Sequence, residues 1–105
     1  MDEKNSSNMA IIIGLEKELD MLERHIEILK TIKENEPVGI INLSGITKHP
    51  QHTVRYSLRL LSQDYLINPS PKGAITTDTV TRGMEIIKIN LKDINKRIER
   101  LIELI

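Results

Sequence analysis

Two long apolar stripes with heptad spacing frame this 105-residue chain and favour a helical fold. From Ile12 to Leu29, apolar residues recur at steps of three and four, and Pro37 should end that helix near Asn35. The same steps run from Val80 to Ile105. Residues at these steps lie along one side of a helix, so each segment is predicted to be a long helix with an apolar seam. The seam of the second helix consists of Val80, Met84, Ile87, Leu91, Ile94, Ile98, Leu101 and Ile105.

The composition excludes several classes of protein. Aromatic residues make up 2% of the chain, which favours helices packed through Ile and Leu over a β-sandwich or barrel. The absence of cysteine excludes disulfides and thiolate metal sites and suits a reducing compartment. No apolar stretch is long enough to cross a bilayer, and the first residues make a poor secretory signal. We therefore expect a cytoplasmic protein with no membrane partner.

The sequence contains no arrangement typical of catalysis. The serines lack the context of a nucleophile elbow, and the five glycines are scattered rather than grouped into a phosphate-binding loop. His49 and His52 are spaced as a metal pair could be, but no third ligand is near them in sequence. We expect no enzyme activity, no metal and no cofactor, and no small-molecule ligand is evident.

Charge is distributed unevenly along a chain whose net charge is zero. Residues 16–27 hold five acidic and two basic side chains, whereas residues 88–100 hold five basic and two acidic ones. The two long helices should therefore attract each other, within a chain or between chains. Between Pro37 and Asp78, four basic residues accompany two acidic ones, so the middle is mildly basic. Zero net charge counts against a nonspecific chromatin coat, which is usually strongly basic.

The middle of the chain predicts short elements. Val38–Ile41 is a short strand or an extended lead-in, and Asn42 is a plausible N-cap for a helix over 43–48. Pro50 suits the first turn of the next helix, which should run to about Asp64. Apolar pieces on either side of a Pro/Gly turn then predict a β-hairpin over about 66–76, and Thr77 or Asp78 can cap the last helix.

The helix over about 51–64 has one apolar stripe and one polar face. Val54, Leu58 and Leu61 form the stripe. Its predicted neighbours are Leu29, Ile32, Leu43, Leu66 and Ile75. The polar face is then free to enter a DNA major groove as a recognition helix, with the hairpin as a wing on the backbone. The candidate DNA-binding residues are Lys48, Gln51, His52, Thr53, Arg55, Tyr56, Arg59 and Lys72.

The same stretch resembles a known family. The run HPQHTVRYSLRLLSQDYLINPSPKGAITT is similar to the predicted winged helix-turn-helix transcriptional regulators of methanogenic and halophilic archaea. The shared pattern, Pro-x-His-x-Val-Arg-Tyr-Ser-Leu-Arg-x-Leu and then Leu-Ile-x-Pro-Ser-x-x-Gly-Ala, falls on residues 50–61 and 66–74. The resemblance implies a winged-helix DNA-binding protein that is a dimer.

Two positions depart from that family's pattern. Lys48-His49 stands where the family has Gly-Leu, and Tyr65 stands where it has Gly before Leu-Ile. A left-handed backbone at the second position is costly for Tyr. We therefore expect either that Asp64 takes that conformation or that the helix ends differently.

The chain is thus predicted to be mainly α with a small β-hairpin, a winged helix-turn-helix flanked by heptad helices. The parts are a disordered N-terminus (1–8), a heptad helix that enters the core (9–36), the winged helix-turn-helix (37–77) and a C-terminal dimerisation helix (78–105). The predicted function is a homodimeric transcriptional regulator that binds double-stranded DNA. The alternatives are a winged-helix module for protein–protein interaction and a nonspecific architectural DNA-binding protein.

Overall fold

The apolar periodicity of the sequence produces a mainly helical chain with one two-stranded antiparallel hairpin. The computed structural model describes residues 9–105, so the predicted disorder of residues 1–8 lies outside the described residues. Within 9–105, no helix has the length and apolarity needed to cross a membrane. The elements are α1 (Ala10–Asn35), α2 (Ile40–Thr47), α3 (Gln51–Gln63), β1 (Ile67–Ser70), β2 (Gly73–Thr76) and α4 (Val80–Leu104).

The core forms where the first heptad stripe widens near the end of α1. Ile28, Leu29 and Ile32 are fully or almost fully buried there. Every other element except β2 adds a buried apolar side chain to this cluster, and Val38 joins it from the segment before α2. The remaining buried members are Val38, Leu43, Val54, Leu61, Leu66, Ile67 and Val80.

The start of α2 differs from the prediction. The helix begins at Ile40, with Gly39 as its N-cap, and Asn42 is an exposed residue inside it. The reason is the extended segment before it: Val38 exchanges two backbone hydrogen bonds with Ala74, of 3.1 and 2.8 Å. This isolated bridge places Val38 on the edge of β2 that does not pair with β1, and it leaves the Gly39 carbonyl free to accept the first helical bond, from the Leu43 amide.

The hairpin pairs Ile67 with Thr76 and Asn68 with Ile75. Because neighbouring residues of a strand point to opposite faces, Ile67 faces the core and Ile75 does not. The predicted packing of Ile75 in the core is therefore wrong, and Ile67 occupies that place. Gly73 has φ +130, and a Cβ there would lie 2.5 Å from the Val38 carbonyl carbon, so this position requires glycine.

The hairpin is also tied to the end of α1. The Glu36 carboxylate accepts hydrogen bonds from the amide nitrogen of Thr76 at 2.7 Å and from its hydroxyl at 2.9 Å. These bonds stabilise the charged carboxylate, so the pKa of Glu36 is lowered. The bridge at Val38 and this carboxylate together hold the hairpin against the α1–α2 connection.

Helix α4 leaves the core as it proceeds. Its N-cap is Thr79 rather than Thr77 or Asp78, and the hydroxyls of Thr77 and Thr79 instead donate to the Tyr65 carbonyl, at 2.6 and 3.1 Å. Val80 is buried, and Met84 and Ile87 pack against the core. From there on, α4 has no buried residue, and the molecule measures 51 × 28 × 19 Å.

Candidate nucleic-acid interface

Helix α3 has a buried side and an open side. The fully or nearly buried residues are Val54, Ser57 and Leu61, whereas Leu58 of the predicted stripe is only partly buried. The buried stripe therefore runs through Val54, Ser57 and Leu61. It is rotated slightly around the helix axis from the predicted stripe, which had Leu58 in place of Ser57. Leu58 instead lies at the edge of the core, where it lines a groove with Ile40 and Ile67.

The open side carries most of the predicted contact residues. Gln51, His52, Arg55, Tyr56 and Arg59 are all exposed. His52, Arg55 and Arg59 fall within about 60° of one another around the helix axis, so their side chains leave α3 from one face. Thr53 is half-buried, and its hydroxyl donates to the Pro50 carbonyl at 2.8 Å, so this side chain is held against the first turn of the helix.

Two lysines lie at turns outside α3. Lys48 ends α2 with a left-handed backbone, φ 64, and is exposed. Lys72 occupies the turn between β1 and β2 and is also exposed. From Lys48 to Gln63 the sequence contains no acidic residue, so α3 and the turn before it carry only positive and neutral side chains.

The turn before α3 is held by α1. The Glu27 carboxylate lies 2.9 Å from His49 Nε2, and the hydroxyl of Ser44 donates to the His49 carbonyl at 2.6 Å. Glu27 therefore places a negative charge beside the beginning of α3. This contact accounts for His49 as a structural residue of the turn.

Tyr56 connects the open side of α3 to α1. Its ring lies 5.1 Å below the Arg59 guanidinium, within the range of a cation–π interaction. The His25 ring of α1 also lies beside it, with its centroid 5.9 Å away and its plane tilted by 48°. Tyr56 is 36% exposed, so part of the ring packs against α1 while the rest faces solvent. Packing on a long helix and contacting DNA, the role predicted for Tyr56, are compatible in this geometry.

Ser57 forms a buried polar cluster that the sequence analysis did not identify. Its side chain is fully buried, and its oxygen lies 3.2 Å from Arg24 Nε and 2.7 Å from His25 Nδ1. The Arg24 N–H donates to this oxygen, and the serine hydroxyl in turn donates to the neutral His25 ring. A signal was present in the sequence, because Ser57 lies three residues after Val54 and four before Leu61. A hydroxyl within an apolar stripe needs a hydrogen-bond partner from a neighbouring element.

The cluster favours the neutral form of His25. Partial burial lowers the pKa of His25, and the neighbouring Arg24 charge lowers it further. A protonated ring would have to donate from Nδ1 to the Ser57 oxygen, which already accepts from Arg24. The serine proton would then have no acceptor at a fully buried site.

Comparisons with known proteins assign no family to this chain. No protein-family model matches this chain, and no curated protein matches it. Within the described residues 9–105, no three His, Asp or Glu side chains converge in a way that could hold a metal ion.

Proposed function

We propose that this chain is a transcriptional regulator that binds double-stranded DNA as a homodimer. In this proposal, α3 enters the major groove as a recognition helix and the hairpin contacts the backbone as a wing. The element order α1, α2, α3, β1, β2 agrees with the winged helix-turn-helix that this proposal requires, and the resemblance of residues 50–61 and 66–74 to archaeal regulators supports the proposal further.

The observation that carries the proposal is the open face of α3. It presents Arg55, Arg59 and His52 side by side, and the other side of the helix is anchored in the core. A guanidinium reads guanine or holds phosphate, and a rigid anchored helix keeps that donor in one place. Lys48, in the turn before α3, and Lys72, in the turn of the hairpin, are two further exposed cations.

The dimer is supported by the apolar side chains that α1 and α4 leave exposed. Leu15 and Leu19 of α1 and Ile94 and Leu101 of α4 are each more than 40% exposed. The acidic stretch 16–27 of one copy would attract the basic stretch 88–100 of a second copy. This attraction selects the partner more than it stabilises the dimer. Two recognition helices would then be presented to major grooves about 34 Å apart, or a multiple of that distance.

An electrophoretic mobility shift with randomised duplex DNA tests the proposal. Replacing Arg55 and Arg59 together by Ala should weaken binding by about tenfold or more and flatten its dependence on salt. The matched control replaces Lys30 and Lys33 of α1 by Ala, which removes the same charge at exposed positions outside α3 and outside the charged stretches 16–27 and 88–100. Absence of any shift for the wild type, or equal weakening by both variants, would contradict the proposal.

Competitor DNA separates a regulator from a nonspecific architectural protein. A regulator should enrich a preferred sequence from the randomised pool and keep it in the presence of excess unrelated duplex. An architectural protein should release every duplex equally, because it binds through backbone charge alone.

One observation favours a second candidate function, a protein–protein interaction module. Helix α2 leaves Ile41 70% exposed and Ile46 51% exposed beside a groove that Pro37 and Gly45 also line. Apolar groups of this kind are typical of protein interfaces. If no duplex binds, replacement of Ile41 and Ile46 by Ser tests whether this face holds a protein partner.

A further inference from the structure

We propose that Arg24 and His25 position α3 through Ser57 and Tyr56, and that protonation of His25 loosens α3 and reduces discrimination between DNA sequences. This inference rests on the proposed DNA-binding function, whose regulation it describes. It makes His25 a positioning residue, since its contacts lie behind the open face of α3.

The contacts form a continuous path from α1 to the proposed DNA face. Arg24 and His25 hold the Ser57 oxygen at 3.2 and 2.7 Å on the buried side of α3. The His25 ring also flanks Tyr56, and Tyr56 supports the Arg59 guanidinium at 5.1 Å. A movement of His25 therefore reaches Arg59 through one aromatic ring.

Protonation of His25 would change each of these contacts. The serine proton would lose its acceptor, because a protonated ring must donate from Nδ1 and the Ser57 side chain is fully buried. A positive His25 would also lie beside Arg24 and compete with Arg59 for the face of Tyr56. Both changes weaken the attachment of α3 to α1 at the level of the recognition face.

The surroundings of His25 contain few other charges. Arg24 is its charged neighbour on α1, and Tyr56 faces it from α3. Asp64, at the end of α3, lines the same cavity of about 200 Å³, to which α4 contributes the apolar Ile87. The negative Asp64 would favour a charged His25, whereas burial and Arg24 oppose it, and the lowered pKa of His25 follows from the latter two.

The direction of the pH effect follows from this balance. In the unfolded chain the pKa of His25 should be about 6.5, and in the folded chain the pKa of His25 is lower. The folded state therefore binds fewer protons, so the contribution of His25 to stability is full above about pH 6.5 and declines as the pH falls below it.

The test measures the affinity ratio between a selected duplex and a scrambled duplex at about pH 8 and about pH 5. The ratio cancels any sequence-independent change in attraction that acidification causes for both duplexes. The wild-type ratio should fall at least about fivefold on acidification. Circular dichroism at both pH values checks that the helices are retained.

Two variants identify the histidine responsible. His25→Asn keeps an acceptor near the position of Nδ1 but does not titrate, so its ratio should be equal at both pH values. His49→Asn removes another histidine that contacts α1, and it should keep the wild-type fall. A constant ratio for the wild type, or the same fall in His25→Asn, overturns the inference.

A measurement on the free protein separates this inference from the proposed function. In amide NMR spectra, the signals of Tyr56 and Ser57 should shift as His25 titrates in the wild type and stay constant in His25→Asn. If no duplex binds at pH 8, the proposed function fails, and the inferred regulation of DNA discrimination fails with it. If duplexes bind but these amides do not respond to His25, the proposed function stands and the coupling is overturned.

Discussion

Among residues 9–105, two residues that are not glycine adopt a left-handed backbone, and both lie at helix ends. Lys48 has φ 64 after α2, and Tyr65 has φ 59 after α3. The expectation that Tyr65 would avoid this conformation, either because Asp64 adopts it or because the helix ends differently, is wrong: Asp64 remains close to helical with φ −88, and Tyr65 itself is left-handed. The amide of Leu66 bonds back to the Leu61 carbonyl at 3.0 Å, which requires the chain to turn at Tyr65 itself. At both positions the resembled pattern has glycine and this chain does not.

Tyr65→Gly should therefore stabilise the protein. A left-handed residue with a Cβ costs about 1–2 kcal/mol, partly offset by the greater freedom of glycine in the unfolded chain, so a net gain of about 0.5–1 kcal/mol is expected. The Tyr65 side chain is 76% exposed, so its loss removes little packing. Chemical denaturation monitored by circular dichroism measures the change.

The control for this prediction is Tyr65→Ala. Alanine removes the ring but keeps the Cβ that disfavours the left-handed conformation, so no gain in stability is expected. An equal gain from Ala and Gly would show that the tyrosine ring, and not the backbone conformation, is the source of the effect.

At the scale of elements, the docking of α4 depends on one close approach. Gly83 lies where Leu66, the buried residue before β1, packs against the helix, and a Cβ at position 83 would overlap the Leu66 Cδ2. Glycine is a poor helix former, so its presence in the first turns of α4 reflects this packing and not a local preference. The remaining anchors of α4 in the core are Val80, Met84 and Ile87.

Gly83→Ala should destabilise the protein by about 1–3 kcal/mol, because the added methyl overpacks a buried contact. Its matched control is Gly45→Ala in α2, where nothing lies within 4 Å of the added Cβ. That control should be stabilising by up to about 1 kcal/mol through helix propensity alone. Thermal unfolding of the two variants under one condition tests the difference, and a Gly83→Ala variant as stable as Gly45→Ala would contradict the close packing.

The elements differ in how far their sequences predict them. The two long helices and the hairpin are confirmed close to their predicted positions, since each has a strong period or a turn with Pro and Gly. Helix α2 is the element whose start was wrong, because its beginning depends on the bridge between Val38 and Ala74, which are 36 positions apart in the sequence. No local pattern encodes such a pairing.

At the scale of the whole molecule, the seam of α4 divides into two parts. Val80, Met84 and Ile87 already have partners within the chain. Further along, Ile94 and Leu101 are 43% and 58% exposed, and α4 contains no buried residue beyond Val80. The outer part of the predicted dimerisation seam, from Leu91 to Ile105, is thus available to a second copy.

Replacement of Ile94 and Leu101 together by Gln should therefore separate the proposed dimer without unfolding the chain. The loss of two apolar contacts at the seam weakens association, and both positions lie outside the core. Light scattering coupled to size-exclusion chromatography should report the monomer mass for this variant and twice that mass for the wild type.

The matched control is the double change of Lys96 and Glu103 to Gln. These exposed residues have the same spacing of seven and lie on the face of α4 opposite the seam, and their joint replacement leaves the net charge unchanged. This variant should keep the wild-type mass. A wild type that is a monomer at micromolar concentration would overturn the dimer.

Periodicity and turn chemistry depend on residues that are close together in the sequence. The sequence by itself therefore determines them. The spacing of Ile and Leu defines both long helices, and the Pro/Gly turn defines the hairpin. The same spacing indicates which side of α3 is apolar, and so which polar side chains remain open. Each of these features requires knowledge of only a few adjacent positions.

The tertiary contacts settle what depends on residues far apart in the chain. Ser57 becomes a buried anchor only because α1 brings Arg24 and His25 to it, and Ile67 rather than Ile75 enters the core because the hairpin register turns it inward. Tyr65 accepts a left-handed backbone because Leu66 must reach the core. In each case a contact across the fold overrides a local preference, since burial and hydrogen bonding outweigh the cost of one unfavourable residue.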